Sequence, residues 1–176
     1  MKAKNIQRVA LIGGGVIGSG WATRCLVHGL SVVVTDPSPA AAEMVLKTVD
    51  SAWPILEEAG LGEKADRSKL EFAPDIETAV ADADFVQENV PEREDLKIAV
   101  HEEIGQHAKG DIVVASSSSG LLPSRLQSRC RRPERLVIGH PFAPVYLLPL
   151  VEVVGGEQTS LEFVRAAGAF YRKIGM

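Results

Sequence analysis

The sequence predicts an α/β protein built on a doubly wound, mostly parallel sheet with helices on both faces. Short runs rich in β-branched residues, typical of buried strands, alternate with longer helical stretches along the 176-residue chain. A glycine-rich turn follows the first strand and opens the first helix. Right-handed crossovers would bring the carboxyl ends of the parallel strands to one rim of the sheet, where ligands bind in such folds.

The first elements follow from short local patterns. Arg8–Gly14 is an apolar run closed by glycines and is predicted to be a buried strand. A helix is expected from Val16 to His28, with Gly29 as its C-terminal stop. Ser31–Asp36 is rich in valine and is predicted to be a second buried strand. The helix that follows is expected to break or kink at Pro54.

The remaining chain alternates in the same way. Further strands are predicted near Leu70–Phe72, Asp84–Glu88, Asp111–Ser116, Arg135–His140 and Leu150–Gly155. Helices are predicted near Ile76–Ala81, Leu96–His107 and Leu161–Lys173. Without internal repeats or long linkers, residues 1–176 are expected to form a single domain.

Composition excludes several classes of function. A net charge of −4 gives no basic surface for nucleic acid or an anionic membrane. No apolar run approaches the roughly 20 residues of a membrane span, and the N-terminus lacks a signal-peptide core. The two cysteines lack metal-ligand spacing and form no disulfide framework, so we expect a cytoplasmic protein without a bound metal.

The turn "GGGVIG" fits the pattern G-x-G-x-x-G of dinucleotide-binding folds. Gly13 permits the tight turn, Gly15 lets the backbone approach a pyrophosphate, and Gly18 lets helix and strand pack closely. The N–H groups at the start of the helix, at Val16 and Ile17, would face the phosphates. A structural glycine turn is the alternative interpretation.

Asp36 ends the second strand, at the position where such folds bind the adenosine ribose. Its carboxylate would accept hydrogen bonds from the ribose hydroxyls and repel a 2′-phosphate. The following segment "TDPSPAAAEM" offers no arginine to hold that phosphate, so NAD is preferred over NADP. FAD and S-adenosylmethionine use similar architectures and remain alternatives, as does a merely capping aspartate.

Three longer segments accompany the glycine turn: "ENVPER", "ASSSSGLLPS" and "HPFAPVYLLPLVEVVGG". Together they resemble the NAD-binding Rossmann domain of the 3-hydroxyacyl-CoA dehydrogenase family over essentially the whole chain. Within that family, "SGLLPS" and "PVYLLPLVE" are most similar to segments of the L-carnitine 3-dehydrogenases.

The resemblance implies roles for five residues. The family's catalytic histidine falls on His140, its glutamate partner on Glu152 and its active-site serine on Ser119. The cofactor-contacting glutamate and lysine of the family fall on Glu92 and Lys97. An imidazole titrates near neutrality, which suits a general base that takes the proton of a secondary alcohol.

Each of these residues also has a structural interpretation. His140 could be a core or turn histidine, Glu152 a solvated carboxylate, and Ser119 a cap of the next turn. Glu92 and Lys97 could belong to an ordinary helix start. His101 and His107 are expected to be solvated.

One departure from the family pattern concerns the cofactor. Where the family has asparagine three residues after the histidine, this chain has Ala143. That asparagine resembles a contact on the nicotinamide side, so the resemblance implies altered cofactor positioning here. It also implies a homodimeric parent enzyme with an all-helical C-terminal domain, absent from this chain, so we expect the isolated domain to bind NAD but to be nearly inactive.

The expected substrate is a small 3-hydroxy compound, and L-carnitine is favoured. The helix after Asp36 carries one lysine, Lys47, against four acidic residues, which suits a cationic substrate better than the phosphates of acyl-CoA. The alternatives are a 3-hydroxyacyl-CoA dehydrogenase and a non-catalytic NAD-binding or crystallin-like relative.

Overall fold

A computed structural model describes residues 6–60 and 64–176, and within them a single sheet holds all strands. The strands are β1 (Arg8–Ile12), β2 (Ser31–Thr35), β3 (Leu70–Phe72), β4 (Phe85–Glu88), β5 (Val113–Ser116), β6 (Leu136–Pro141) and β7 (Val151–Gly155). The helices are α1 (Val16–Val27), α2 (Ala41–Glu58), α3 (Ile76–Val80), α4 (Glu94–His107), α5 (Pro123–Leu126) and α6 (Leu161–Lys173).

The sheet has the strand order β3-β2-β1-β4-β5-β6-β7, and only β7 runs antiparallel to its neighbour. The chain therefore reverses its direction of winding between β1 and β4. In open α/β sheets that reversal opens a crevice outside the carboxyl ends of the two strands. The order confirms the predicted doubly wound, mostly parallel fold.

The alternation of side chains along each strand divides the core between the two faces of the sheet. Val9 and Leu11 of β1 belong to one buried cluster, which contains residues of α1, α2 and α6. Ala10 and Ile12 belong to a second cluster with residues of α3 and α4. Because both faces are covered, the central strands β1, β2 and β5 are mostly apolar, which explains their continuous hydrophobic runs.

The predicted elements all occur, with boundaries that differ by a few residues, and the helix that was expected to break or kink at Pro54 does not break there. Helix α2 continues through this residue to Glu58. A proline removes one backbone hydrogen bond, and burial of Val45, Val49 and Trp53, which all precede Pro54, holds the helix against the core. None of the helices in the described part of the chain has the length and apolar character needed to span a membrane.

Candidate active site

The glycine turn connects β1 to α1 at the point where the sheet reverses. Gly13 has a φ of 100°, and a Cβ there would lie 2.8 Å from the backbone carbon of Asn89 after β4. A Cβ on Gly18 would lie 1.9 Å from the carbonyl oxygen of Gly13, so only glycine allows this contact between helix and turn. Around Gly15, by contrast, a Cβ would meet nothing within 4 Å.

The start of α1 is open toward a ligand. Gly15 is its N-cap, no side chain caps the helix, and no acidic residue lies in its first turn. The first N–H groups of a helix have no partner within the helix. Val16 is 72% exposed, so the backbone here presents donors and a positive dipole end at an open surface. This is the arrangement that binds phosphate groups, and the turn fits the pyrophosphate of a dinucleotide.

Asp36 follows β2 and holds the same turn. Its Oδ2 accepts a hydrogen bond from the Gly14 amide at 2.8 Å, and its Oδ1 accepts one from the Ser38 amide at 2.8 Å. Each carboxylate oxygen can accept about two hydrogen bonds, so both keep capacity for ribose hydroxyls. The structural and cofactor-binding interpretations of Asp36 are therefore compatible.

A cavity of about 860 Å³ runs along the rim of the sheet from this turn to β6. That volume is in the range of pockets that hold a whole cofactor. The predicted site residues that line it are Gly13, Gly15, Val16, Ile17, Asp36, Glu92, Lys97, Ser119 and His140. Gly18 lies behind the turn and Glu152 behind the histidine, each in contact with a residue of the lining.

His140 and Glu152 form a cross-strand pair. They are directly opposite each other in the antiparallel register of β6 and β7, which accounts for their separation of twelve residues. His140 Nδ1 lies 2.9 Å from Glu152 Oε2. Because a carboxylate only accepts hydrogen bonds, Nδ1 carries the proton and the lone pair of the neutral ring is on Nε2. His140 also lines the cavity.

The serine run after β5 gives each hydroxyl a different environment. Ser116 donates to Glu88 Oε2 at 2.5 Å, and Ser117 donates to Asn89 Oδ1 at 2.8 Å. The hydroxyl of Ser118 donates to Glu92 Oε1 at 2.5 Å. Ser117 and Ser119 line the cavity.

Glu92 and Lys97 line the cavity as the resemblance implies, but both are already bonded within the protein. Glu92 Oε1 also accepts from the amides of Ser119 and Gly120, at 3.0 and 3.1 Å. Burial raises the pKa of the Glu92 carboxyl, but the Ser118 hydroxyl, the loop amides and the charge of Lys97 outweigh it, so the pKa lies below its ordinary value. The carboxylate is ionised at neutral pH.

A buried polar cluster, which the sequence patterns did not predict, lies under this loop. Glu88 ends β4 with its carboxylate 2.7 Å from the Lys97 ammonium and 3.2 Å from His101 Nε2, and these side chains are essentially inaccessible to solvent. The expectation of a solvated His101 was wrong, because α4 turns this residue toward the end of β4. The one sequence signal was a glutamate closing an otherwise buried strand, where an unpaired carboxylate would be costly.

Its partners keep Glu88 charged. Burial alone would raise the pKa of this carboxyl. The hydrogen bond and charge of His101 and the charge of Lys97 together lower the pKa by more than burial raises it, so the pKa lies below its ordinary value. The Val90 amide adds a hydrogen bond to Oε1 at 2.7 Å. The cluster is thus a compensated ion pair at the floor of the site.

A second buried link runs beneath His140. Tyr171 of α6 donates to Gln87 Oε1 at 2.6 Å, and Gln87 Nε2 donates to the carbonyl of Gly139 at 3.1 Å. A Cβ on Gly139 would lie 1.9 Å from the Tyr171 hydroxyl oxygen. Glycine before the histidine therefore lets α6 fix the end of β6. Within the described chain, no group of three or more side chains is arranged to hold a metal ion.

The chain is similar in sequence to known proteins. Residues 8–176 match the family model described as 3-hydroxyacyl-CoA dehydrogenase, NAD binding domain. An L-carnitine dehydrogenase of Burkholderia mallei is 54% identical over 171 residues, which cover 97% of this chain and 53% of that protein. The chain thus spans about half the length of the curated relatives it matches.

Solved structures show the same fold. A 5-formyl-3-hydroxy-2-methylpyridine 4-carboxylic acid 5-dehydrogenase, described as an NAD+-dependent dismutase, superposes with a TM-score of 0.89 at 36% identity and covers 97% of this chain and 56% of its own. The 3-hydroxybutyryl-CoA dehydrogenase of Escherichia coli superposes with a TM-score of 0.90 at 27% identity, covering 98% of this chain and 37% of its own.

Proposed function

The chain belongs to the NAD-binding domain family of the 3-hydroxyacyl-CoA dehydrogenases, and on that premise we propose that it serves the NAD-dependent oxidation of the 3-hydroxyl group of L-carnitine to 3-dehydrocarnitine. The observation that carries the proposal is the His140–Glu152 pair at the cavity that begins at the glycine turn. A proton acceptor and a dinucleotide site at one cavity are the two requirements of alcohol oxidation.

The cofactor would be held mainly by backbone. The amides at the start of α1 would bind the pyrophosphate, and Asp36 would accept hydrogen bonds from the adenosine ribose. When bound, NAD supplies the acceptor for the hydride that leaves the substrate carbon. The protein then has to place that carbon and remove the hydroxyl proton.

His140 takes the proton in this proposal. Nε2 accepts it from the substrate hydroxyl, while Nδ1 keeps its hydrogen bond to Glu152. The carboxylate stabilises the imidazolium that forms and prevents the ring from adopting the other tautomer, as an acidic partner does in hydrolase triads. The hydroxyl of Ser119 would hydrogen-bond the substrate oxygen or the nicotinamide carboxamide.

Three observations support carnitine as the substrate. Curated relatives about half identical to this chain are named L-carnitine dehydrogenase. The solvent side of α2 is acidic, with Glu43, Asp50, Glu57 and Glu58 against Lys47. The ring of Phe142 lies 5.3 Å from that of His140 and is partly exposed, so it could contact a trimethylammonium group through its face.

A substrate panel tests the proposal. The complete protein is incubated with NAD and L-carnitine, D-carnitine, 3-hydroxybutyrate or 3-hydroxybutyryl-CoA, and NADH formation is followed by absorbance. We expect the highest kcat/KM with L-carnitine. Preference for 3-hydroxybutyryl-CoA would instead support the acyl-CoA dehydrogenase activity that the family description and the E. coli structure favour. NADH binding without turnover of any substrate would support a non-catalytic role.

A further inference from the structure

The serine run Ser116–Ser119 differs from an ordinary polar turn because its first three hydroxyls are all bonded to side chains of other parts of the fold. Ser116 binds the carboxylate at the end of β4, and Ser117 receives hydrogen bonds from the indole of Trp21 in α1 and the amide of Gln87 in β4. Ser118 binds Glu92 before α4. The backbone of the run is thereby held at three consecutive residues.

Ser118 has the most direct connection to the fourth serine. It is 1% exposed and does not line the cavity, so it has no direct contact with a ligand there. Its hydroxyl donates to Glu92 Oε1 at 2.5 Å and accepts from the Leu121 amide at 3.1 Å. The same Glu92 oxygen accepts the amides of Ser119 and Gly120. One carboxylate oxygen therefore holds three donors of one short loop.

Glu92 in turn is connected to the buried cluster. Its second oxygen lies 3.6 Å from the Lys97 ammonium, which donates to Glu88 at 2.7 Å and to the Val90 carbonyl at 3.0 Å. Because Glu88 and Lys97 are buried, the attraction between their charges is less screened by solvent than that of a surface pair. The ammonium is a fixed positive charge between two carboxylates.

We propose that Ser118, Glu92 and Lys97 are positioning residues that hold the Ser118–Gly120 backbone and so direct the hydroxyl of Ser119 into the cavity. This gives Glu92 and Lys97 a role in the cofactor-free protein, in addition to any contact with the cofactor. The proposal rests on the proposed function, because it assumes that Ser119 hydrogen-bonds the substrate or the nicotinamide.

Amide hydrogen exchange in the cofactor-free protein tests the contacts directly. Glu92→Ala removes the acceptor of the Ser119 and Gly120 amides and should speed their exchange about tenfold, since a hydrogen bond to a charged group is lost. Glu92→Gln keeps an oxygen acceptor and should restore most of the protection. Ser51→Ala, on the exposed side of α2, is the control. Unchanged exchange in Glu92→Ala would overturn the proposal.

A double-mutant cycle on turnover tests the consequence for Ser119. Ser118→Ala should lower kcat about tenfold in the otherwise unchanged complete protein, with little change in KM for NAD, but less than twofold when Ser119 is already alanine. Independent, multiplying effects would overturn the proposal, and so would full turnover in Ser119→Ala. Absence of NADH formation from L-carnitine by the unsubstituted protein would count against the proposed function alone, because the exchange experiment does not depend on turnover.

Discussion

The two halves of the cavity are built by opposite means. The half at β1 and β2 consists mainly of backbone amides, a glycine turn and the carboxylate of Asp36. The half at β4 to β7 consists of side chains: the Glu88 cluster, the serine loop and the His140–Glu152 pair. In the first half, glycines without side chains leave space for a ligand beside the backbone. In the second half, charged and hydrogen-bonded side chains form the site.

This difference has a consequence for robustness. Backbone donors at a helix N-terminus do not titrate, so cofactor binding at the glycine turn should depend little on pH. The second half holds a carboxylate and an ammonium out of water, an arrangement that is stable only while both charges are present. Substitutions in the two halves should therefore have different effects on cofactor affinity, turnover and stability.

The largest effect is expected at the histidine. His140→Gln removes the proton acceptor and should lower kcat by about 100- to 10,000-fold, the range for loss of a general base. The Kd for NADH, measured by fluorescence titration, should stay within about threefold because the glycine turn is untouched. Unchanged turnover would remove the base assignment, and a large loss of NADH affinity would show that the two halves are not separable.

Breaking the buried pair should affect the fold itself. Glu88→Gln removes the nearer countercharge of the buried Lys97 ammonium and leaves only the carboxylate of Glu92 at 3.6 Å. It should lower the free energy of unfolding by about 3–5 kcal/mol at pH 7, measured by urea denaturation. Glu71→Gln, which breaks the exposed pair with Arg8, is the matched control and should cost about 1 kcal/mol or less.

Glu88→Gln should also change how the free energy of unfolding depends on pH in the acid range. The pKa of Glu88 is lowered in the folded protein, so its stabilisation is present above the ordinary glutamate pKa of about 4.3 and is lost as pH falls below it through the folded value. The difference in unfolding free energy between the unsubstituted protein and Glu88→Gln should therefore narrow toward low pH. A difference that stays constant from pH 7 to pH 3 would contradict this.

Two glycines of one motif should separate folding from binding. Gly18→Ala places a methyl group against the Gly13 carbonyl and should destabilise the fold by about 1–3 kcal/mol. Gly15→Ala meets no protein atom within 4 Å and should leave stability within about 0.5 kcal/mol, while weakening NADH binding at least about tenfold. Thermal unfolding and fluorescence titration measure the two effects, and equal loss of stability in both variants would refute the distinction.

The smallest effect is expected where the chain departs from the family. Ala143→Asn supplies an amide on the exposed segment after β6 and should lower the KM for NAD about fivefold, the value of one added hydrogen bond of roughly 1 kcal/mol. Ala143→Leu adds bulk without the amide and should give no gain. If both variants behave alike, position 143 does not contact the cofactor.

How much of the site could be predicted depended on how far apart in the sequence the interacting residues lie. The glycine turn, its strand and its helix are neighbours in sequence, so spacing alone predicted them, and Asp36 followed from the next strand. His140, Ser119 and Glu152 were assigned through longer motifs, and the structure brings the three to one end of the sheet. The sequence did not predict the Glu88 cluster or the burial of His101. Which face of α4 is buried depends on the strands that pack against it, and these lie far away in sequence.

The sequence by itself determined the order of strands and helices, the glycine turn and the family, since periodicity, turn chemistry and long motifs are local properties of a chain. The tertiary structure alone decided that His140 faces Glu152, because the antiparallel register of β6 and β7 sets that pairing. It also decided that the side chains of Ser116 and Ser118 are buried away from the cavity, while Ser117 and Ser119 line it. Such contacts join residues far apart in sequence, and their energies depend on burial, which only the folded chain defines.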